Sequence, residues 1–118
     1  MAGKIVHVEF PARDTARAME FWSSLMGWQF QSMDAPMEYH MFDAEPAGAI
    51  YPSQSGEHGL VVYFGSDDID ADIAQIRNLG GQAEDKTSIP HVGWFARCED
   101  TEGNTFSLFQ SDESVSAG

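Results

Sequence analysis

The chain carries one order of elements twice, 54 positions apart, and this duplication limits the fold more than any other feature. Ile5 to Phe10 alternates as a strand does, with Val6, Val8 and Phe10 on one face and Ile5, His7 and Glu9 on the other. Pro11 is expected to end that strand. Asp14 then stands where a helix needs an N-cap, and apolar residues recur at Ala18, Phe21, Trp22 and Leu25. The spacing predicts a helix over 14–26, closed by Gly27. In the second copy, Leu60, Val62 and Phe64 repeat the strand, and Asp68 stands where Asp14 stood. Ile69, Ile73, Ile76 and Leu79 form the stripe of a helix over about 68–79, and Gly81 matches Gly27.

The rest of each copy reads as strands, near 28–33, 38–43 and 47–51 and again near 82–87, 92–98 and 104–110. The last two are joined by a hairpin loop, Glu99 to Asn104, with Gly103 and Asn104 placed for positive φ. The expected fold is α+β: two tandem βαβββ modules, 1–54 and 55–111, in one structural domain, with 112–118 as a flexible tail. Pro52 to Gly59 is the linker between the copies. Val6, Val8, Phe10, Leu60, Val62 and Phe64 should face the helices, which lie on the outside. The opposite faces should line the cleft of an open, barrel-like sheet.

Bulk properties exclude several roles. Six basic residues against 19 acidic ones give a net charge of −13, a field that repels nucleic acid and disfavours polyanionic ligands. It favours a cationic or amphiphilic small molecule, although acidity also serves solubility. The single cysteine, Cys98, allows no internal disulfide and suits a reducing compartment. No apolar run approaches the roughly 20 residues that span a bilayer, and the first residues lack the apolar core of a signal peptide. The expectation is a cytoplasmic protein that binds neither membrane nor nucleic acid.

Three stretches carry a family likeness: His7 with Asp14 and Met19-Glu20-Phe21-Trp22-Ser23-Ser24-Leu25-Met26-Gly27-Trp28; then Ile76-Arg77-Asn78-Leu79-Gly80-Gly81; then Asp100-Thr101-Glu102-Gly103-Asn104-Thr105-Phe106-Ser107-Leu108. Together they resemble the vicinal oxygen chelate superfamily, which includes glyoxalase I, extradiol dioxygenases, methylmalonyl-CoA epimerase and bleomycin resistance proteins. The likeness covers nearly the whole chain, but this fold hosts many chemistries. Metal-dependent members place ligands on the first and last strand of each half. Here those positions offer His7, the stretch Ala49 to Tyr51, Val61, and Ser107 where the family has Glu. One ligand in four is kept, so the resemblance implies a version without the usual divalent metal and with no other cofactor. A different metal site would need His7 and Glu9 to converge with Glu38 and His40, the other pair spaced two apart on a strand.

The candidate ligand-binding residues are His7, Glu9, His40, Tyr63, Trp94 and Ser107. His7 and Tyr63 are the candidates for proton transfer, the imidazole because it titrates near neutral pH and the phenol as an oxyanion donor. Trp94, beside Gly93, is placed to stack on a flat or cationic ligand, and His91 to border the cleft. His58 reads as a loop residue, Trp22 as core, and Cys98 as an inert thiol without a basic partner. No Ser/His/Asp arrangement is visible in the linear sequence. Three functions follow: a metal-independent small-molecule binding protein similar to bleomycin resistance proteins; a metal-dependent lyase, isomerase or dioxygenase of glyoxalase type; and a metal-independent enzyme using His7 or Tyr63. Single-chain members of this size are commonly homodimers, and two-fold symmetry is expected here.

Overall fold

The computed structural model describes residues 2–34, 37–54 and 59–116. The fold is α+β, with elements in the order β1 (Ile5–Ala12), α1 (Thr15–Met26), β2 (Phe30–Met33), β3 (Tyr39–Phe42), β4 (Gly48–Pro52), β5 (Val61–Gly65), α2 (Ile69–Asn78), β6 (Gln82–Ala83), β7 (Thr87–Ile89), β8 (Gly93–Glu99) and β9 (Thr105–Ser111). His7–Val61 forms one compact unit, and Val62–Gly118 with Met1–Val6 forms the other. The linker residue His58 lies outside the described residues.

In the N-terminal unit the strands run in the order β2-β3-β4-β1. Only the β1–β4 pair is parallel. β1 continues through Pro11, which pairs in register with Tyr51. Proline loses its N–H but keeps its carbonyl and an extended-compatible φ, so one proline need not stop a ladder. Gly48 sits where β4 passes closest to β1. A Cβ there would collide with the Val8 carbonyl and the Phe42 ring.

Asp14 caps α1 by accepting from the Arg17 N–H at 3.0 Å, and Gly27 stops it at φ 75° with its N–H on the Ser23 carbonyl at 2.9 Å. Between α1 and the sheet lies a layer of rings. Phe10 meets Trp22, Trp28 and Phe42 edge-on at 5.1, 6.0 and 5.7 Å, and Trp28 stacks on Phe42 at 4.0 Å. The predicted apolar stripe is only partly covered: Phe21 is 58% and Leu25 60% exposed, and no α1 residue is fully buried.

In the C-terminal unit β5 runs parallel to β9, β9 antiparallel to β8, and the short β6 and β7 both pair with β8. The single strand expected near 82–87 is instead two short ones, β6 and β7, with a break between them, which gives this copy one strand more than the first. Asp68 caps α2 through the Ala71 N–H at 3.1 Å. The left-handed residue after α2 is Gly80 at φ 97°, not Gly81. The Gly80 and Gly81 N–H groups close onto the Arg77 and Ile76 carbonyls in a Schellman-type stop. α2 has 10 residues where α1 has 12, and the repeat offset slips there.

Ile69 and Ile73 of α2 bury against Ala96, Cys98 and Leu108, with Phe64 and Phe106 at the margin. Each isoleucine contributes about 1.5–3 kcal/mol by leaving water. Leu60 and Leu79, expected on the same face, are exposed. In the β8–β9 loop Gly103 takes the positive φ, while Asn104 serves through its side chain, donating to the Asp100 carboxylate at 2.9 Å. Where a flexible tail was expected, residues 112–116 fold back. Val115 is buried, and its carbonyl accepts from the His91 N–H at 3.0 Å.

Candidate functional site

Strand register decides which side chains share a face. Phe10, Ile50 and His40 are partners across β1, β4 and β3, and Phe10 packs on α1, so this is the helix-covered face. Glu9, Ala49 and Met41 are partners on the opposite face, and Tyr39, two residues before Met41, joins them. His7 reaches this face from β1.

Three of these side chains form a chain of hydrogen bonds. The Tyr39 hydroxyl donates to Glu9 Oε2 at 2.6 Å, and His7 Nε2 lies 2.7 Å from the same phenolic oxygen. The phenol has one proton and directs it to Glu9, so His7 must donate from Nε2. The two rings are nearly coplanar in orientation, 12° apart with centroids 6.3 Å apart. Side chains of His7 and Glu9 remain 28% and 17% exposed, so the group is partly open to a ligand. A phenol that accepts from an imidazole and donates to a carboxylate can pass its proton to Glu9 and be resupplied from His7.

The expected pairing of His7 with Glu9 is therefore observed, with Tyr39 between them. Glu38 and His40 do not join them. His40 is buried on the helix-covered face, its Nε2 2.6 Å from Glu38 Oε2, and the Thr15 hydroxyl donates to the same oxygen at 2.6 Å. The convergence that a different metal site would need is therefore not formed, and the placing of His40 among the cleft residues is corrected. The register of β3 on β4 turns it away. His40, then Thr15, holds the Glu38 carboxyl below its ordinary value.

Tyr63 and Ser107 are register partners on the face of the C-terminal sheet opposite Phe64 and Leu108, as expected; Ser107 is 1% exposed and Tyr63 half-buried. Trp94 lies on the α2 side at the margin of the aliphatic cluster. Its indole N–H donates to Asp112 at 3.3 Å, and the Lys86 ammonium sits 4.4 Å above its ring, so the cation on that ring comes from the chain itself. Exposed His91 is held at φ 63° by the returning tail. Burial, with a smaller push from Glu84, raises the Cys98 thiol to about 11 and keeps it protonated.

The donor set does not fit the metal quartet that the resemblance implies. Val61 has no donor atom, and Ser107 offers only a neutral hydroxyl. Among the described residues no three His, Cys, Asp or Glu side chains group to hold an ion. Nor is any described helix long and apolar enough to cross a membrane.

Comparison with known proteins gives the class. Residues 6–109 match the family described as glyoxalase-like domain, and the chain belongs to that family. It is 34% identical over 119 residues to a glyoxylase-like domain-containing protein of Didymella fabae, covering 90% of this chain and 92% of that one. Among solved structures it resembles a hypothetical protein from Bacillus halodurans C-125, with TM-score 0.77 and 12% identity over 98% of this chain and 99% of the other. It also resembles a Streptomyces coelicolor methylmalonyl-CoA epimerase variant in complex with 2-nitronate-propionyl-CoA, with TM-score 0.70 and 19% identity over the full length of both chains. At these identities the structural likeness speaks for the fold alone.

Sequence reading missed Tyr39, the central member of the group. Its neighbours Glu38 and His40 drew attention by residue type. The signal available was strand alternation, which places Tyr39 opposite them. Linking that face to His7 requires the β3–β4–β1 register, which no local pattern carries.

Proposed function

We propose that this chain binds a small organic molecule through the His7–Tyr39–Glu9 group, without a divalent ion in the family's usual place. The observation that carries this reading is the hydrogen-bonded relay on the face opposite α1, partly exposed and ending in a carboxylate acceptor. The ligand carries a hydroxyl or N–H donor to meet the Glu9 and Tyr39 oxygens, and the net charge of −13 favours a neutral or cationic amphiphile. The complex of a structural neighbour with a CoA derivative supports the general class of small organic ligand.

The test has two parts. Protein purified without chelator is analysed for metals, and a library of small amphiphilic compounds bearing hydroxyl or N–H donors is screened by ligand-observed NMR. Substoichiometric metal and a ligand whose affinity falls about 10- to 100-fold in Tyr39→Phe support the reading, the loss matching a hydrogen bond to a charged network. One tightly held divalent ion per chain would favour the metal-dependent lyase, isomerase or dioxygenase instead. The placement of the Tyr39 proton favours a second reading, proton transfer without metal. It predicts turnover that survives EDTA and is lost in His7→Gln, in Tyr39→Phe, or in Tyr63→Phe if that phenol supplies the proton.

A further inference from the structure

The helix-covered face of the N-terminal unit holds a second polar group, separate from the one above and independent of the function proposed for it. Ser32 and His40 are register partners across β2 and β3, and Ser32 Oγ lies 2.6 Å from His40 Nδ1. The other ring nitrogen, Nε2, lies 2.6 Å from Glu38 Oε2. Glu38 is held in turn by the Thr15 hydroxyl at 2.6 Å. An ionised carboxylate only accepts hydrogen bonds, so His40 Nε2 must carry the ring proton. In the neutral ring Nδ1 then presents its lone pair, and the Ser32 hydroxyl donates to it. Glu38 fixes this tautomer, and the hydroxyl, able to donate or accept, follows it.

A nucleophilic hydroxyl, a neutral imidazole accepting its proton, and a carboxylate orienting the imidazole are the parts of an activated serine, recognised by geometry rather than by order along the chain. Here the chain order is Ser32, Glu38, His40, with Ser32 on β2, His40 on β3 and Glu38 just before β3. His40 is buried, which protects the base, while Ser32 is exposed on a strand at the end of its unit's order. An edge strand leaves alternate backbone N–H groups outside the ladder, and these can meet a developing oxyanion.

We propose that Ser32 is a nucleophile toward small uncharged activated esters, with His40 as its general base and Glu38 as the residue that positions His40. In the acylation step the Ser32 hydroxyl proton passes to His40 Nδ1 as Oγ bonds to the ester carbonyl carbon. The tetrahedral intermediate then collapses, its C–O bond breaks, and the leaving alkoxide takes the proton from Nδ1. Water repeats the sequence on the acyl-serine, giving the free acid and restoring Ser32. No oxidant, metal or cofactor enters the balance.

The full chain treated with an alkyl fluorophosphonate decides the matter. Oγ displaces fluoride, and intact-mass and peptide mass spectrometry locate the adduct. One adduct on Ser32 is expected, absent in Ser32→Ala and unchanged in Ser24→Ala, which removes an exposed helix serine. Labelling should slow by about 10²-fold or more in His40→Gln, the usual weight of a general base. Because His40 is buried, Glu38→Gln provides the second arm. It should slow labelling while the fold, followed by circular dichroism, is kept, and ¹⁵N NMR should show His40 losing its fixed Nε2–H tautomer. No adduct on Ser32 in the native chain, or equal labelling rates in the native chain and Glu38→Gln, overturns the proposal.

Discussion

The two units share an element order and differ in what fills the space beneath each helix. In the C-terminal unit two isoleucines of α2 close over a small aliphatic cluster. In the N-terminal unit α1 buries no residue fully and rests on large rings that pack edge-on and stacked. The unit with the looser lid also carries the two hydrogen-bonded side-chain groups described above, His7–Tyr39–Glu9 on one face and Ser32–His40–Glu38 on the other. The C-terminal unit buries polar side chains as well, Ser66 and Ser107, so polar burial alone does not separate the two. The difference lies in the packing: one helix closes over aliphatic side chains, and the other rests on rings and leaves its own apolar side chains exposed.

Three measurements can break or sharpen this contrast. The largest effect belongs to the core: Ile69→Ala should cost about 2–5 kcal/mol, whereas Leu25→Ala on α1 should stay within about 0.5 kcal/mol. Denaturant unfolding of both variants checks this, and similar losses would end the distinction. The helix caps should be alike. Asp14→Ala and Asp68→Ala should each cost about 0.5–2 kcal/mol, since each carboxylate holds one backbone N–H of its first turn. A large inequality would mean that the units do not depend equally on their helices.

The smallest effect is on acid stability. Folded-state pKa values are lowered for Glu38 in the N-terminal unit, and for Asp100, mainly through Asn104, and Asp112, mainly through Ser114, in the other. Between the folded values and the ordinary ones, 4.5 for Glu38 and 3.8 for the aspartates, the unfolded chain binds more protons. Stability from these groups is thus fully present above the ordinary values and is lost as pH falls through the folded ones. Amide exchange followed downward from pH 5 should show protection weakening near Glu38, Asp100 and Asp112. Protection unchanged down through the acid range at these three sites would contradict the assignment.

What the sequence discloses here is what depends on near neighbours. Asp14 and Asp68 announce the helices because capping acts over three residues, and His7 and Glu9 share a face because alternation acts over two. Gly27 is placed correctly, and Gly80 is missed in favour of Gly81 because the repeat is not of constant length. Tyr39 and the true face of His40 depend on β3 pairing with β4 and β4 with β1, contacts between residues far apart along the chain. Ser32 reaches His40 through the same pairing, so no reading of the linear sequence could assemble that group.

Gly48 has an evolutionary consequence. Any replacement adds a carbon where the backbone of β1 and the ring of Phe42 already occupy the space. No other side chain can be accepted without moving one of them, and both the register that lines up Glu9 with Met41 and the ring layer under α1 depend on their staying put. A deep mutational library should therefore show one nearly empty column at this codon beside more permissive surface positions. Lineages that drift freely in ligand chemistry would still inherit this residue unchanged.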